Sequence, residues 1–245
     1  MADFLLRAAD VNYSYPGRGR AISNINASFS TGLTLLVGAN ASGKSTLLRL
    51  LSGLVATESG AFVDENGSAL TGETLWKMSR LVIQDADPQI LGATVAEDVN
   101  LGKATSNLNN RFDSECQRLL ARFGLKGNWA APVETLSFGQ KRKLNLMNAM
   151  LAGPKLLLLD EPFEGLDYPS SRELREFIAE NRAAGIGQII STHDLEPVIA
   201  LADWLVVMRQ GDSAVEGRPY ELLPNLDKWS VRPPGRGWTI DKEEK

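Results

Sequence analysis

Cysteine is almost absent from this chain: Cys116 is the only one in 245 residues. A single thiol permits no intrachain disulfide and no cysteine-built zinc site, so a reducing, cytosolic setting is expected. Positive charge is not in excess either, with 26 Lys and Arg against 30 Asp and Glu and a formal net charge of -4. That balance leaves no electrostatic footprint for nucleic acid, and neither DNA nor RNA is expected as a partner. No apolar run approaches the roughly 18 residues needed to cross a bilayer. The opening Met-Ala-Asp-Phe-Leu-Leu-Arg lacks the apolar core of a secretory signal. If the protein serves a membrane, it does so from the cytoplasmic side through another subunit. No internal repeat is visible. Hydrophobic residues at 43% and charged residues at 23% are ordinary globular values. The length suits one large α/β domain or one with a subdomain inserted.

What is present is a phosphate-binding pattern. Gly38-Ala39-Asn40-Ala41-Ser42-Gly43-Lys44-Ser45-Thr46 fits G-x-x-x-x-G-K-[ST] at every required position. The apolar run Leu33 to Val37 reads as a buried strand leading in, and Thr46 to Leu51 as the helix leading out. Small residues let the loop wrap a triphosphate, with backbone N–H groups of Gly38 to Thr46, those of Asn40 and Ala41 included, and the positive helix end facing the anion. Lys44 is suited to the β and γ phosphates and the Ser45 hydroxyl to Mg²⁺. The cofactors expected are therefore ATP and Mg²⁺.

Along the chain, Phe4 to Tyr15 and Ala21 to Phe29 show strand-like alternation around the turn Pro16-Gly17-Arg18-Gly19, and turn signals flank Ala61 to Val63. A small antiparallel sheet beside the loop is expected. From about Val95 to Met150 the pattern is helical, interrupted by a polar loop at Thr105 to Asn110 and a break from Gly127 to Pro132. Leu156 to Leu159, Gln188 to Ser191 and Trp204 to Met208 read as buried strands separated by helices, the alternation of a largely parallel sheet. The first of these ends in Asp160-Glu161-Pro162, carboxylates at the end of a parallel strand, where ligands gather. Asp160 is suited to hold Mg²⁺ and Glu161 to polarise an attacking water. His193, the only histidine, falls just after the second strand in Ser191-Thr192-His193-Asp194.

At Leu136-Ser137-Phe138-Gly139-Gln140 the chain resembles the ATP-binding subunits of ABC transporters, whose signature motif usually has Gly where Phe138 stands. The resemblance runs over about residues 4 to 223. It implies a P-loop NTPase of the α/β class: a mostly parallel core sheet, an antiparallel β subdomain and a helical subdomain inserted at about 93–150. Residues 1–223 are then the ATPase domain and 224–245 a short, peripheral tail. By the same resemblance Tyr15 stacks on adenine, and Gln84 touches Mg²⁺ and the attacking water while linking to the membrane subunit. His193 contacts the γ-phosphate. Ser137, Gly139 and Gln140 present a helix end to the nucleotide held by another subunit, and Asp167 in Gly165-Leu166-Asp167 crosses the same interface. Ser137 also reads as an ordinary helix cap, a role compatible with the other.

The stretch Asp85 to Val99, with Gln89, Thr94-Val95 and Glu97-Asp98-Val99, is similar to that of energy-coupling factor importers, which take up vitamins or Co²⁺ and Ni²⁺. The expected protein is a Mg²⁺-dependent ATPase on the cytoplasmic face of the membrane, paired with a second ATPase subunit, identical or different, and with integral membrane subunits. Gln89, Ile90 and Leu91 are expected to face a membrane-subunit helix. The competing readings are an ATPase of another importer subfamily, a soluble relative acting on DNA or ribosomes, and a regulatory subunit with little turnover.

Overall fold

Three strands are buried at every position: β3 (Leu33–Val37), β7 (Leu156–Asp160) and β8 (Gly187–Thr192). Strand side chains point alternately to opposite faces, so such runs are needed only where both faces of a sheet are covered. The packing bears this out. Leu35, Val37, Leu157, Leu159 and Ile190 enter one core, while Leu36, Leu156, Leu158 and Ile189 enter the other. With β6 (Ser79–Val82), β9 (Trp204–Arg209) and β10 (Asp212–Gly217) they form a sheet of order β10-β9-β3-β8-β7-β6. Its pairings are parallel except for the β9–β10 hairpin. The computed structural model describes residues 3–17, 19–103 and 111–235. The polar loop expected at Thr105 to Asn110 lies outside the described residues.

A second, antiparallel sheet of order β2-β1-β4-β5 comprises β1 (Phe4–Ser14), β2 (Arg20–Ser30), β4 (Ser59–Asp64) and β5 (Ala69–Leu70). Helix α1 (Lys44–Leu51) buries Leu47, Leu48, Leu50 and Leu51 in the core that also takes Leu6, Val11 and Phe29 from this sheet. Helix α2 (Gly72–Met78) connects β5 to β6. On the opposite face of the parallel sheet, α5 (Phe138–Leu151) packs on β6 and α6 (Tyr168–Ala183) on β8; α4 (Phe112–Arg122) packs against α5, and it and α3 (Val95–Leu101) add side chains to the same core. Thr94 caps α3 by accepting the Glu97 N–H. Ser137 caps α5 in a reciprocal capping box with Gln140. Cys116 is buried in α4, and burial, reinforced by Asp113, pushes its thiol up in pKa, as in an inert core residue.

The tail corrects an expectation. After α7 (Pro219–Leu222) the chain continues as a tight turn of helix, Leu223–Trp229, that inserts Leu226 into the main core, and Val231 follows it. Residues 224–231 are therefore not peripheral: one apolar side chain on a short, Pro-started helix and another just beyond it find places in the core that the local sequence, with Pro224 and Asn225, does not announce. Leu226→Ala should lower stability by about 2–5 kcal/mol, the usual range for a buried leucine. Urea unfolding checks this; a midpoint equal to the parent's would show that the segment carries no core packing.

Candidate active site

The loop after β3 is shaped by close backbone contact. At Gly38 a Cβ would lie 2.4 Å from the Met208 carbonyl, so no larger residue fits. Gly43 has φ 101° with Ala21 and Ile22 at its Cα, and Ala41 sits at φ 62°. Left-handed conformations at non-glycine residues cost free energy and collect at functional sites. The turn between β9 and β10 braces the loop: Gly211 N–H donates to Ser42 O at 2.9 Å, and Ser23 N–H to Gly211 O at 2.7 Å. Helix α1 begins at Lys44 with no side-chain cap and no acid in its first turn, leaving its N–H groups and dipole for an anion. The buried Ser42 Oγ has no hydrogen-bond partner among the described residues. A polyphosphate fits this cradle: close-approach glycines, unsatisfied donors and one lysine.

Lys44 is itself buried, and its Nζ donates to Gly38 O at 2.9 Å and Ala39 O at 3.3 Å. It also lies 3.4 Å from Glu161 Oε1. Parallel pairing puts Asp160, the last residue of β7, beside Ser191 of β8, whose hydroxyl donates to Asp160 Oδ1. Glu161, at φ 46°, donates its own N–H to Ser191 O and Oγ. Its Oε2 meets His193 Nδ1 at 2.9 Å and the His193 N–H at 3.3 Å. A carboxylate only accepts, so this contact puts the imidazole proton on Nδ1 and leaves Nε2 for another partner. Glu161 is thus aimed by two backbone segments and flanked by a cation.

These groups line one cleft of about 640 Å³: Asn40 to Thr46, Gln84, Glu161 and His193 face it together. Tyr15 is not among the lining residues, but its hydroxyl lies 3.3 Å from Oγ1 of Thr46, which is, and accepts from Arg49 Nη1 at 3.1 Å. Among the described residues no group of three or more His, Cys, Asp or Glu could hold a metal. Ser45 lines the cleft, whereas Asp160 is buried at the end of β7 against the Ser191 hydroxyl and is not among the lining residues. Hard Mg²⁺ commonly takes only one or two protein oxygens, with phosphate oxygens and water completing its shell, so the few oxygen ligands at this cleft fit it. Ser137, Gly139, Gln140 and Asp167 lie outside the cleft. Asp167 caps α6 by accepting the Ser170 N–H, and the Ser170 hydroxyl and N–H hold its carboxyl below the usual range. Phe138 is 51% exposed, its ring 5.0 Å from the Arg142 guanidinium.

Sequence reasoning missed several participants. Arg20, Ala21, Gln210 and Gly211 line the cleft from the β2 start and the β9–β10 turn, and Glu164 adds an acid beside Gln84. Arg142 is only 4% exposed and donates to the carbonyls of Gln84 (3.0 Å), Pro162 (2.9 Å) and Glu164 (2.8 Å). Burial lowers its pKa from the ordinary arginine value, against a smaller opposing pull from the Glu164 carboxylate. The only local signal for Arg142 is a cation on the inner face of a helix, which the run Lys141-Arg142-Lys143 conceals.

Residues 22–164 match the model of the family described as ABC transporter. The chain belongs to this family. The cobalt import ATP-binding protein CbiO of Rhodobacter capsulatus is 34% identical over 94% of this chain and 85% of its own length. The energy-coupling factor transporter ATP-binding protein EcfA2 of Clostridium perfringens is 31% identical over 91% and 81%. Among solved structures, cbiO1 of Clostridium perfringens, part of the transporter complex cbiONQ, matches with TM-score 0.77 and 30% identity over 94% of this chain and 96% of that one. This ABC transporter chain is an ATP-binding subunit closely related to the ATPases of energy-coupling factor importers. The family hydrolyses ATP with Mg²⁺. Lys44→Ala should abolish tight ATP binding, because it removes the one side-chain cation of the loop and leaves Glu161 without its neighbour. Titration with a fluorescent ATP analogue decides this; parent-like affinity in a folded variant would remove Lys44 from the site.

Proposed function

We propose that this ABC transporter subunit hydrolyses Mg-ATP at the cytoplasmic face of a membrane, together with a second ATPase subunit and integral membrane subunits, to power an energy-coupling factor importer for Co²⁺, Ni²⁺ or a vitamin. The observation that carries the reading is the division of the motifs. Lys44, Gln84, Glu161 and His193 share one cleft, while the Ser137-capped end of α5 and Asp167 lie outside it. A second subunit presenting its own capped helix end would complete the site. The cargo class rests on the cobalt import relative and the energy-coupling factor relatives.

In this reading Lys44 and the loop N–H groups hold the β and γ phosphates, and Tyr15 meets the base. Mg²⁺ bound by Ser45, Asp160 and Gln84 would neutralise charge on the phosphates. Glu161, held by Ser191 and His193, orients and polarises the attacking water, and His193, its Nδ1 engaged by Glu161, has Nε2 available for the γ-phosphate. Glu161→Gln keeps the shape but not the carboxylate, and hydrolysis should slow by about 10²-fold or more. Size-exclusion chromatography with Mg-ATP should then show a trapped dimer, dispersed by adding Ser137→Arg. Turnover at the parent rate in an ATP-binding Glu161→Gln protein would exclude Glu161 as the base.

The membrane side is read from a groove of about 260 Å³ between α2, β6 and α5, lined by Leu54, Trp76, Arg80, Leu81, Gln89 and Ala149. A membrane-subunit helix with an apolar face is the occupant we assign. The three residues first expected there differ in role. Gln89 lines the groove; Leu91, two residues further on, is not among its lining residues but is 79% exposed, and Ile90 packs on the main core. The Gln89 amide bonds the edge of β6, accepting from Ile83 N–H and donating to Leu81 O. Ile90 changes would therefore disturb packing, and the informative variants are Trp76→Asp and Leu91→Asp. Both should leave ATP affinity unchanged and abolish transport in the assembled complex; normal uptake by the double variant would exclude this face.

A further inference from the structure

Gln84 has a partner that the sequence motifs do not assign. Its Nε2 donates to Glu164 Oε2 at 2.6 Å. The two residues belong to segments far apart in the chain, yet one buried guanidinium fixes both: Arg142 donates to Gln84 O at 3.0 Å and to Glu164 O at 2.8 Å. Backbone and side-chain bonds thus close a ring through Gln84, Arg142 and Glu164. Both Gln84 and Glu164 line the nucleotide cleft. The turn is also tied to the catalytic carboxylate's backbone, since Glu164 N–H donates to Glu161 O.

The chemistry of an amide gives this ring a consequence. A primary amide has one acceptor end and one donor end, related by rotation of the terminal torsion, which is broad and roughly two-fold. A metal ion or the hydrogen of a water needs the acceptor end, Oε1. A carboxylate can only accept, so Glu164 captures the amide nitrogen and leaves Oε1 as the end that can serve the cleft. Outer groups that orient a ligand in this way are a regular part of metal sites. We propose that Glu164 is a positioning residue that sets the orientation of the Gln84 amide for Mg²⁺ and water. It acts through Gln84 and touches no reacting atom.

This inference rests on the proposed role of Gln84, and a four-variant test separates the two. The quantity measured is the ratio of affinities for a fluorescent non-hydrolysable ATP analogue with and without Mg²⁺, alongside kcat and KM for Mg-ATP. Glu164→Ala should reduce the Mg²⁺ enhancement and kcat about 5-fold, on the scale of a lost outer-shell partner that costs 10-fold or more at a tighter site. Affinity without Mg²⁺ should not weaken. Glu164→Gln, whose carbonyl can still accept from Gln84, should recover most of the loss. Gln84→Ala should show the loss by itself, and Glu164→Ala added to it should change nothing more. Equal behaviour of the Ala and Gln variants at 164 would mean that only charge matters and would overturn the proposal. So would an undiminished Glu164→Ala effect in the Gln84→Ala background. If Gln84→Ala has no effect, the Gln84 role and the inference fall together; if it has its effect and Glu164→Ala has none, only the inference falls.

Discussion

Parallel pairing of β3, β8 and β7 is the constraint on which the rest of the site depends. Register places Val37 beside Thr192, and Asp160 beside Ser191. Parallel strands end at the same edge of their sheet, so the phosphate loop, the Asp160-Glu161 pair and His193 all emerge together. None of these groups is close to the others in sequence. The contacts of Glu161 with Lys44, His193 and Ser191 then follow from backbone register, and apolar burial on both faces of the sheet holds that register.

A second constraint lies along α5. Lys141 pairs with Asp87, Arg142 with the Gln84 carbonyl, Asn145 with the Ala86 carbonyl and Asn148 with Asp98. These positions fall three or four residues apart, or next to one that does, and so form one stripe of the helix. The stripe straps the segment from Gln84 to Asp98 to the helix whose capped end begins at Ser137. Asp98 in turn accepts from the N–H groups of Leu91 and Gly92. The Gln84 loop and the segment through Asp98 are thus held to the same helix whose capped end begins at Ser137.

Much of this was legible in the chain. The spacing of small residues, Lys44 and Ser45 fixes a phosphate loop because only that geometry needs those residue types in that order. Unbroken apolar runs identified the core strands, since a strand covered on both faces cannot alternate with polar residues. The Ser137 cap was readable from the Gln three positions later. Leu226 and Val231 were not, because a short tail after prolines offers no periodicity, and its burial is decided by what lies opposite. Ile90 and Leu91 are adjacent and equally apolar, yet one packs inward and one faces out.

The sequence by itself determined the fold class, the family and the chemical identity of the loop, carboxylates and histidine, because each is encoded by local residue type and spacing. Only the tertiary structure decided that Arg142 clasps three carbonyls, that Glu164 meets Gln84, and that the β9–β10 turn braces the phosphate loop. Those are contacts between segments distant in the chain, and a hydrogen bond across such a distance leaves no periodic trace in the residues that make it.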